Sequence, residues 1–281
     1  MSSYAYHRPT RLSEAWDLLS ATPGARFVAG GTDLIVDLKR RRAPTPPALI
    51  SLRNIEELRG IETGAGIRIG GGAVLADVAR HPGVREALPA LVRAIGVLAS
   101  PQIRNVATIG GNLCNASPCA DTAPPLLVYE ARLELAAPGG RREVPLCDFF
   151  RGPKVSDRAP GEVLTAILVP RPSPAARATF ASKGRVAMDL SLASLALLIE
   201  SEDRRCTRAR VAAGAVAPTP LRLRGVESAL EGRELDADTI ARARVMATEE
   251  VMPIDDVRSS AAYRRHIIGV FLERAIGEVL Q

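Results

Sequence analysis

Apolar residues at Leu12, Ala15, Trp16 and Leu19 recur at helical spacing, which predicts an early amphipathic helix closed by the turn signal Pro23-Gly24. Arg26-Phe27-Val28 reads as a short strand. Ala29-Gly30-Gly31-Thr32-Asp33 then interrupts the pattern, and Leu34, Ile35 and Leu38 predict the buried side of a short helix. Strands are expected at Ala48 to Leu52 and around Ile67-Arg68-Ile69, which runs into the triplet Gly70-Gly71-Gly72. Helices are expected over Leu75 to Ala79 and over Pro89 to Leu98, where the proline suits a first turn that has no use for its missing N–H.

Between Ser100 and Pro118 the periodicity lapses into a polar, glycine-bearing stretch, and long irregular stretches within a domain often carry function. Asp121 stands where it could cap a helix running through Leu126 to Tyr129. Strands follow at Arg132 to Ala136 and Glu162 to Val169. Pro170-Arg171-Pro172-Ser173-Pro174 can continue neither a helix nor a central strand, so the best boundary in the chain lies there. Beyond it, Ala178 to Ser182, Leu190 to Glu200 and Cys206 to Ala217 read as strands of an antiparallel sheet. Helices follow from about Leu223, the last with an apolar stripe of Tyr263, Ile267, Val270 and Phe271 that reads as core packing. The pattern is that of an α+β chain of many short elements.

Composition narrows the function classes. No run of 18 apolar residues spans a bilayer, and the opening Met-Ser-Ser-Tyr-Ala-Tyr-His has no secretory character, so a cytoplasmic protein is expected. The net charge of +6 comes mostly from dispersed arginines. Its one dense run, Lys39-Arg40-Arg41-Arg42, suits a solvated helix end. With aromatics at only 4%, the stacking residues of a nucleic-acid binder are missing, whereas a basic face also suits a phosphate-bearing cofactor or an acidic partner. Cys114, Cys119, Cys147 and Cys206 show no Cys-x-x-Cys spacing, and free, partly buried thiols are expected rather than a zinc or iron–sulfur site.

Two glycine loops carry the chemistry. In Ala29-Gly30-Gly31-Thr32-Asp33 the paired glycines permit positive φ and let backbone N–H groups approach a ligand with no Cβ in the way. Successive N–H groups ahead of a helix make an anion site suited to a pyrophosphate. Thr32 and Asp33 could add side-chain hydrogen bonds or could cap the helix. Thr108-Ile109-Gly110-Gly111-Asn112 repeats the glycine pair about eighty residues on, between a hydroxyl and an amide. Neither loop has the spacing of a Rossmann or P-loop fingerprint.

Together the two loops, with the second set in Pro-Gln-Ile-Arg-Asn-x5-Gly-Asn-x4-Ser-Pro-x2-Asp, resemble the FAD-binding medium subunit of the carbon monoxide dehydrogenase and xanthine dehydrogenase family of molybdenum hydroxylases. Gly161-Glu162-Val163-Leu164-Thr165-Ala166-Ile167 and the closing Ala262-Tyr263-Arg264-Arg265-His266 extend the resemblance over essentially the whole chain. It implies a two-part FAD-binding domain of the vanillyl-alcohol-oxidase-like (PCMH) type over residues 1–172, with subdomains of about 1–55 and 56–172. A smaller domain of antiparallel sheet plus helices would follow over residues 173–281.

The resemblance also implies non-covalent FAD, its pyrophosphate wrapped by Ala29, Gly30, Gly31, Thr32 and Asp33 and by Thr108, Ile109, Gly110, Gly111 and Asn112. Asp121 stands where the family's aspartate contacts the cofactor. Lys183 is the candidate for a lysine near the isoalloxazine ring, or else a surface strand residue; a cation there would favour the reduced, anionic flavin. His7, His81 and His266 lie outside the loops, so no residue for covalent attachment is offered. The molybdenum cofactor and iron–sulfur clusters of the 2Fe-2S type are expected only on a large and a small partner subunit, joined with this chain as a dimer of heterotrimers. The implied activity is electron relay through FAD to an acceptor such as NAD or a quinone. Two alternatives are a stand-alone FAD-dependent oxidoreductase of the same fold and a binding module that has lost its flavin.

Overall fold

The structure is a computed structural model and describes residues 4–281. The first helix forms at Leu12–Ala21, where the apolar spacing places it, with Leu12 and Ala15 buried and the Trp16 indole donating to the Gly161 carbonyl at 3.0 Å. It packs on a three-stranded parallel sheet in the order Ala5–His7, Ala48–Ser51, Arg26–Val28. A second, antiparallel sheet has the order Ile61–Thr63, Gly66–Gly70, Val163–Pro170, Arg132–Ala137, Gly140–Pro145. Ile69, Leu133, Leu135 and Ile167 of this sheet share one core with Leu91 and Ile95 of the helix Pro89–Val97 and Leu126 of the helix Ala123–Val128.

The third sheet is antiparallel too, in the order Arg177–Lys183, Ala193–Glu202, Arg205–Gly214, Leu221–Arg222. One face packs on the helices Arg224–Leu230, Ala237–Glu250 and Ala261–Val279, burying Leu195, Leu197, Val211, Ile268 and Leu272. From the other face Phe180, Ala196, Leu198 and Ala212 join the core of the preceding sheet and its helices. The unbroken apolar run from Leu195 to Ile199 therefore has a simple cause, because both faces of that strand are covered. Among the described residues, no helix is long and apolar enough to cross a membrane.

Three expectations change. The stretch from Ser100 to Pro118 is not irregular: it holds two short helices, Pro101–Arg104 and Ile109–Cys114, started by caps in which Ser100 accepts from Ile103 N and Thr108 from Gly111 N. Elements of four and six residues are too short to show a period. The helix Leu34–Lys39 has no fully buried residue, so its apolar side is only half covered. In the last helix the buried stripe is Arg264, Ile268, Phe271, Leu272, Ala275 and Ile276, one residue out of step with the expected one, and Tyr263 is exposed. The reason is Arg264 itself, a charged side chain that hydropathy assigns to the surface and the fold holds inside.

Candidate functional site: two glycine loops and the seam behind them

The first loop lies between the strand Arg26–Val28 and the helix Leu34–Lys39. Gly31 has φ +72°, a left-handed conformation that suits glycine. None of the backbone N–H groups of residues 29–33 donates to another protein group among the described residues. Asp33 occupies the helix N-cap position but its carboxylate makes no capping bond, and the cap it could have formed is absent. These five N–H groups are thus without a protein acceptor among the described residues, and successive free N–H groups can serve an anionic ligand.

The second loop is built differently. Its Gly110 and Gly111 lie in the first turn of the helix Ile109–Cys114. Ile109 N–H donates to the Ala73 carbonyl, Gly110 N–H to the Gly71 carbonyl at 2.9 Å, and Gly111 N–H to the Thr108 hydroxyl at 3.0 Å. These amides are thus occupied by the protein; Gly110 is buried against Gly71, and Gly111 is the one of the pair that leaves a partly exposed backbone with no side chain over it. Asn112 accepts from the Thr122 hydroxyl at 2.6 Å, which fixes its side chain and leaves its amide N–H2 with no protein acceptor among the described residues.

The two loops touch. A Cβ built on Gly30 would lie 2.3 Å from the Val106 carbonyl oxygen, and one on Gly111 would reach within 4.0 Å of the Ala29 methyl. Behind the second loop, an added Cβ on Gly110 would meet the Gly71 carbonyl at 2.4 Å, so the triplet Gly70-Gly71-Gly72 is its foundation. That triplet is visible in the sequence, but nothing there says what it packs against.

Asp121 is 6% exposed and sits at the seam between the two cores, where its carboxylate accepts from the Ser191 hydroxyl at 2.7 Å. Burial pushes this carboxyl up to about 6, against the pull of neighbouring serine hydroxyls. It caps no helix: Thr122 holds the cap position of Ala123–Val128 without a side-chain bond. Lys183 ends the strand Arg177–Lys183, and its side chain is exposed and makes no hydrogen bond or ion pair among the described residues. The second loop and Asp121 lie on one continuous segment, whereas Lys183 is connected to it only through the backbone, its carbonyl accepting from the N–H of Leu192, next to Ser191, at 2.7 Å. A surface hollow of about 520 Å³ lined by Gly66, Arg68, Arg132 and Leu168 lies elsewhere and includes none of these residues.

Residues 2–172 match the family described as FAD binding domain in molybdopterin dehydrogenase, and residues 178–279 match the CO dehydrogenase flavoprotein C-terminal domain. The chain belongs to the FAD-binding subunits of the molybdenum hydroxylases. It is 34% identical to the xanthine dehydrogenase FAD-binding subunit of Escherichia coli O157:H7, over 98% of this chain and 96% of that one. It is 33% identical to the carbon monoxide dehydrogenase medium chain of Hydrogenophaga pseudoflava, over 97% and 96% of the two chains. In three dimensions it resembles a chain of the carbon monoxide dehydrogenase of that organism, with a TM-score of 0.95 at 32% identity and 99% and 98% coverage.

As an FAD-binding subunit of this family, the molecule has the fold its sequence implied, an FAD-binding domain followed by an antiparallel sheet with helices. Its own residues fit the cofactor: the N–H groups of residues 29–33, without protein acceptors among the described residues, suit a diphosphate, and the partly exposed Gly111 has no side chain to obstruct its approach. Two participants were missed in the sequence. The Val106 backbone carries the loop-to-loop contact without any side-chain signature, and Ser191 meets Asp121 from a strand-connecting turn seventy residues away. Cys114, Cys119, Cys147 and Cys206 are free thiols.

Proposed function

We propose that this chain is the electron-relaying subunit of a molybdenum hydroxylase, holding FAD non-covalently across its two glycine loops. The observation that carries the reading is the row of unengaged N–H groups at residues 29–33, pressed by Gly30 against the segment that leads into the second loop. Ala29, Gly30, Gly31, Thr32 and Asp33 would surround the pyrophosphate on one side, and Thr108, Ile109, Gly110, Gly111 and Asn112 would bound it on the other. Asp121 supplies a carboxyl at the seam, and Lys183 a cation at the end of its strand. When bound, FAD supplies a carrier that can take electrons singly and release them in pairs. The chain's part is to bind it, orient it and keep it within reach of its donors.

The donors would be iron–sulfur clusters of the 2Fe-2S type on a small subunit, fed by the molybdenum cofactor of a large subunit, with NAD or a quinone as the final acceptor. A dimer of such heterotrimers, in the cytoplasm, is the expected assembly. Similarity to the FAD-binding subunit and medium chain of named dehydrogenases supports this division of labour. A surface feature supports it too. Val186, Met188 and Leu190 on one loop and Met252, Ile254 and Val257 on another are exposed, Val257 by 98%, and both loops are tied to Arg264. Exposed apolar side chains gathered in this way mark a protein-binding face. On this reading residues 1–172 form the FAD-binding unit, in parts of about 1–55 and 56–172, and residues 173–281 its C-terminal companion.

Purification of the tagged chain co-expressed with the genes flanking its own tests the proposal. Yellow preparations containing stoichiometric FAD and two further chains, one with molybdenum and one with iron, are expected. A yellow chain that purifies alone and turns over an added reductant would favour the stand-alone oxidoreductase, and a colourless one the flavin-free module.

A further inference from the structure

We infer that Arg264 is a positioning residue that clamps the segment 118–121 of the FAD-binding half onto the C-terminal sheet, through three acceptors that each stand one step behind a contact to that segment. Its guanidinium is 2% exposed, at a helix position where the apolar period calls for a leucine. A buried charge persists only where partners compensate its lost hydration. Here Nη1 donates to the Leu192 carbonyl at 2.8 Å and to the Ala215 carbonyl at 3.0 Å, and Nη2 pairs with the Asp256 carboxylate at 2.8 Å.

Each acceptor leads to the same place. Leu192 follows Ser191, whose hydroxyl donates to Asp121 at 2.7 Å. Ala215, which accepts from Arg264 with its carbonyl, donates its own N–H to the Pro118 carbonyl at 2.7 Å. Asp256 also holds Arg258 at 2.7 Å, and the Arg258 guanidinium lies 3.8 Å from the Cys119 sulfur. Three separate turns of the C-terminal half thus grip Pro118, Cys119 and Asp121, and one side chain fixes all three turns. The segment so held is the continuation of the helix Ile109–Cys114, whose first turn is the second glycine loop. A lysine could keep the charge but not the planar fork that serves three acceptors at once.

The link from this clamp to the cofactor rests on the FAD assignment above; the clamp itself does not. The test compares the full-length wild type with Arg264→Lys. Amide hydrogen exchange is read at residues 119–122 and, as a reference, at buried Ala243, Ala247 and Leu272. FAD affinity of the folded fraction is read by flavin fluorescence. Protection at 119–122 should fall while the reference amides hold, and FAD should bind roughly tenfold more weakly. Unchanged exchange at 119–122 would overturn the clamp. Lost protection there with unchanged FAD affinity would overturn its bearing on the cofactor. Failure of the FAD assignment looks different, because then the wild type itself takes up no FAD while the exchange result still stands or falls alone. Should Arg264→Lys fail to fold, Ser191→Ala combined with Arg258→Met cuts two of the grips with Arg264 in place. Faster exchange at 119–122 is expected there, and no change would again overturn the clamp.

Discussion

Gly30 and Val106 are in backbone contact: a methyl group at the first position would stand 2.3 Å from the carbonyl oxygen of the second. Real contacts are never that short, and a carbonyl oxygen in a turn cannot swing aside as a side-chain tip can. Gly30→Ala should therefore part the two loops at a cost of about 1–3 kcal/mol. The purified variant should show little flavin absorbance per chain, with the helix content in circular dichroism kept. Stoichiometric FAD in this variant would mean that the loop contact is not part of the binding site.

Gly111 tests the other side. A Cβ there would meet the Thr108 hydroxyl at 2.8 Å, the same hydroxyl that accepts from Gly111 N–H to start the helix. Gly111→Val should lose that cap, worth roughly 1 kcal/mol, and also place a branched side chain on the surface facing Ala29. Thermal unfolding should show the modest destabilisation, and equilibrium dialysis against FAD a much larger loss of binding. Binding as tight as in wild type would confine the second loop to a structural role.

Asp121 should leave a mark on the pH dependence of stability. Its carboxyl is pushed up from 3.8 to about 6 by burial, so in this window the folded chain holds a proton that the unfolded chain has released. Stability from this group is fully present below about pH 4 and is lost as pH rises through about 6. The shift of about two units corresponds to an order of 3 kcal/mol. The difference in urea-unfolding free energy between wild type and Asp121→Asn should slope across that range and flatten above it. A flat difference from pH 4 to 7 would show that the carboxyl is not desolvated.

The exposed loop carrying Val257 gives a prediction that leaves the isolated chain alone. Because Val257 is 98% exposed, Val257→Asp removes no internal packing, and its effect on the melting temperature should stay within the small range of surface changes. Placed in an apolar protein interface, the same charge should weaken recovery of the other two chains in the co-purification severalfold or more. Full recovery would move the partner face elsewhere on the surface.

The parts of the fold that the sequence makes legible are those where one physical signal dominates. The first helix shows itself through period, the Pro170–Pro174 stretch through missing donors, and the glycine loops through the freedom of glycine. The stretch from Leu195 to Ile199 is readable as an apolar run, although only the structure shows which layers cover it. What stays hidden depends on pairing at a distance. The stripe of the last helix is misread by one residue because Arg264 is paid for by carbonyls from Leu192 and Ala215, which no local pattern announces. The second loop is legible as glycine chemistry but not as a helix start, since its amides find acceptors at Ala73 and Gly71.

The sheet from Arg177 to Arg222 has one further consequence. Because Phe180, Ala196 and Leu198 complete the neighbouring core while Leu195 and Leu197 complete their own, the two halves should melt as a single cooperative unit. A protease that cuts among the prolines at 170–174 should leave two fragments that elute together in a native column. Expressed alone, the first half would bare the apolar wall it normally lends to that sheet and would aggregate. The flavin half of this molecule is therefore not a detachable cassette, and any transplant into another redox chain has to carry the sheet along with it.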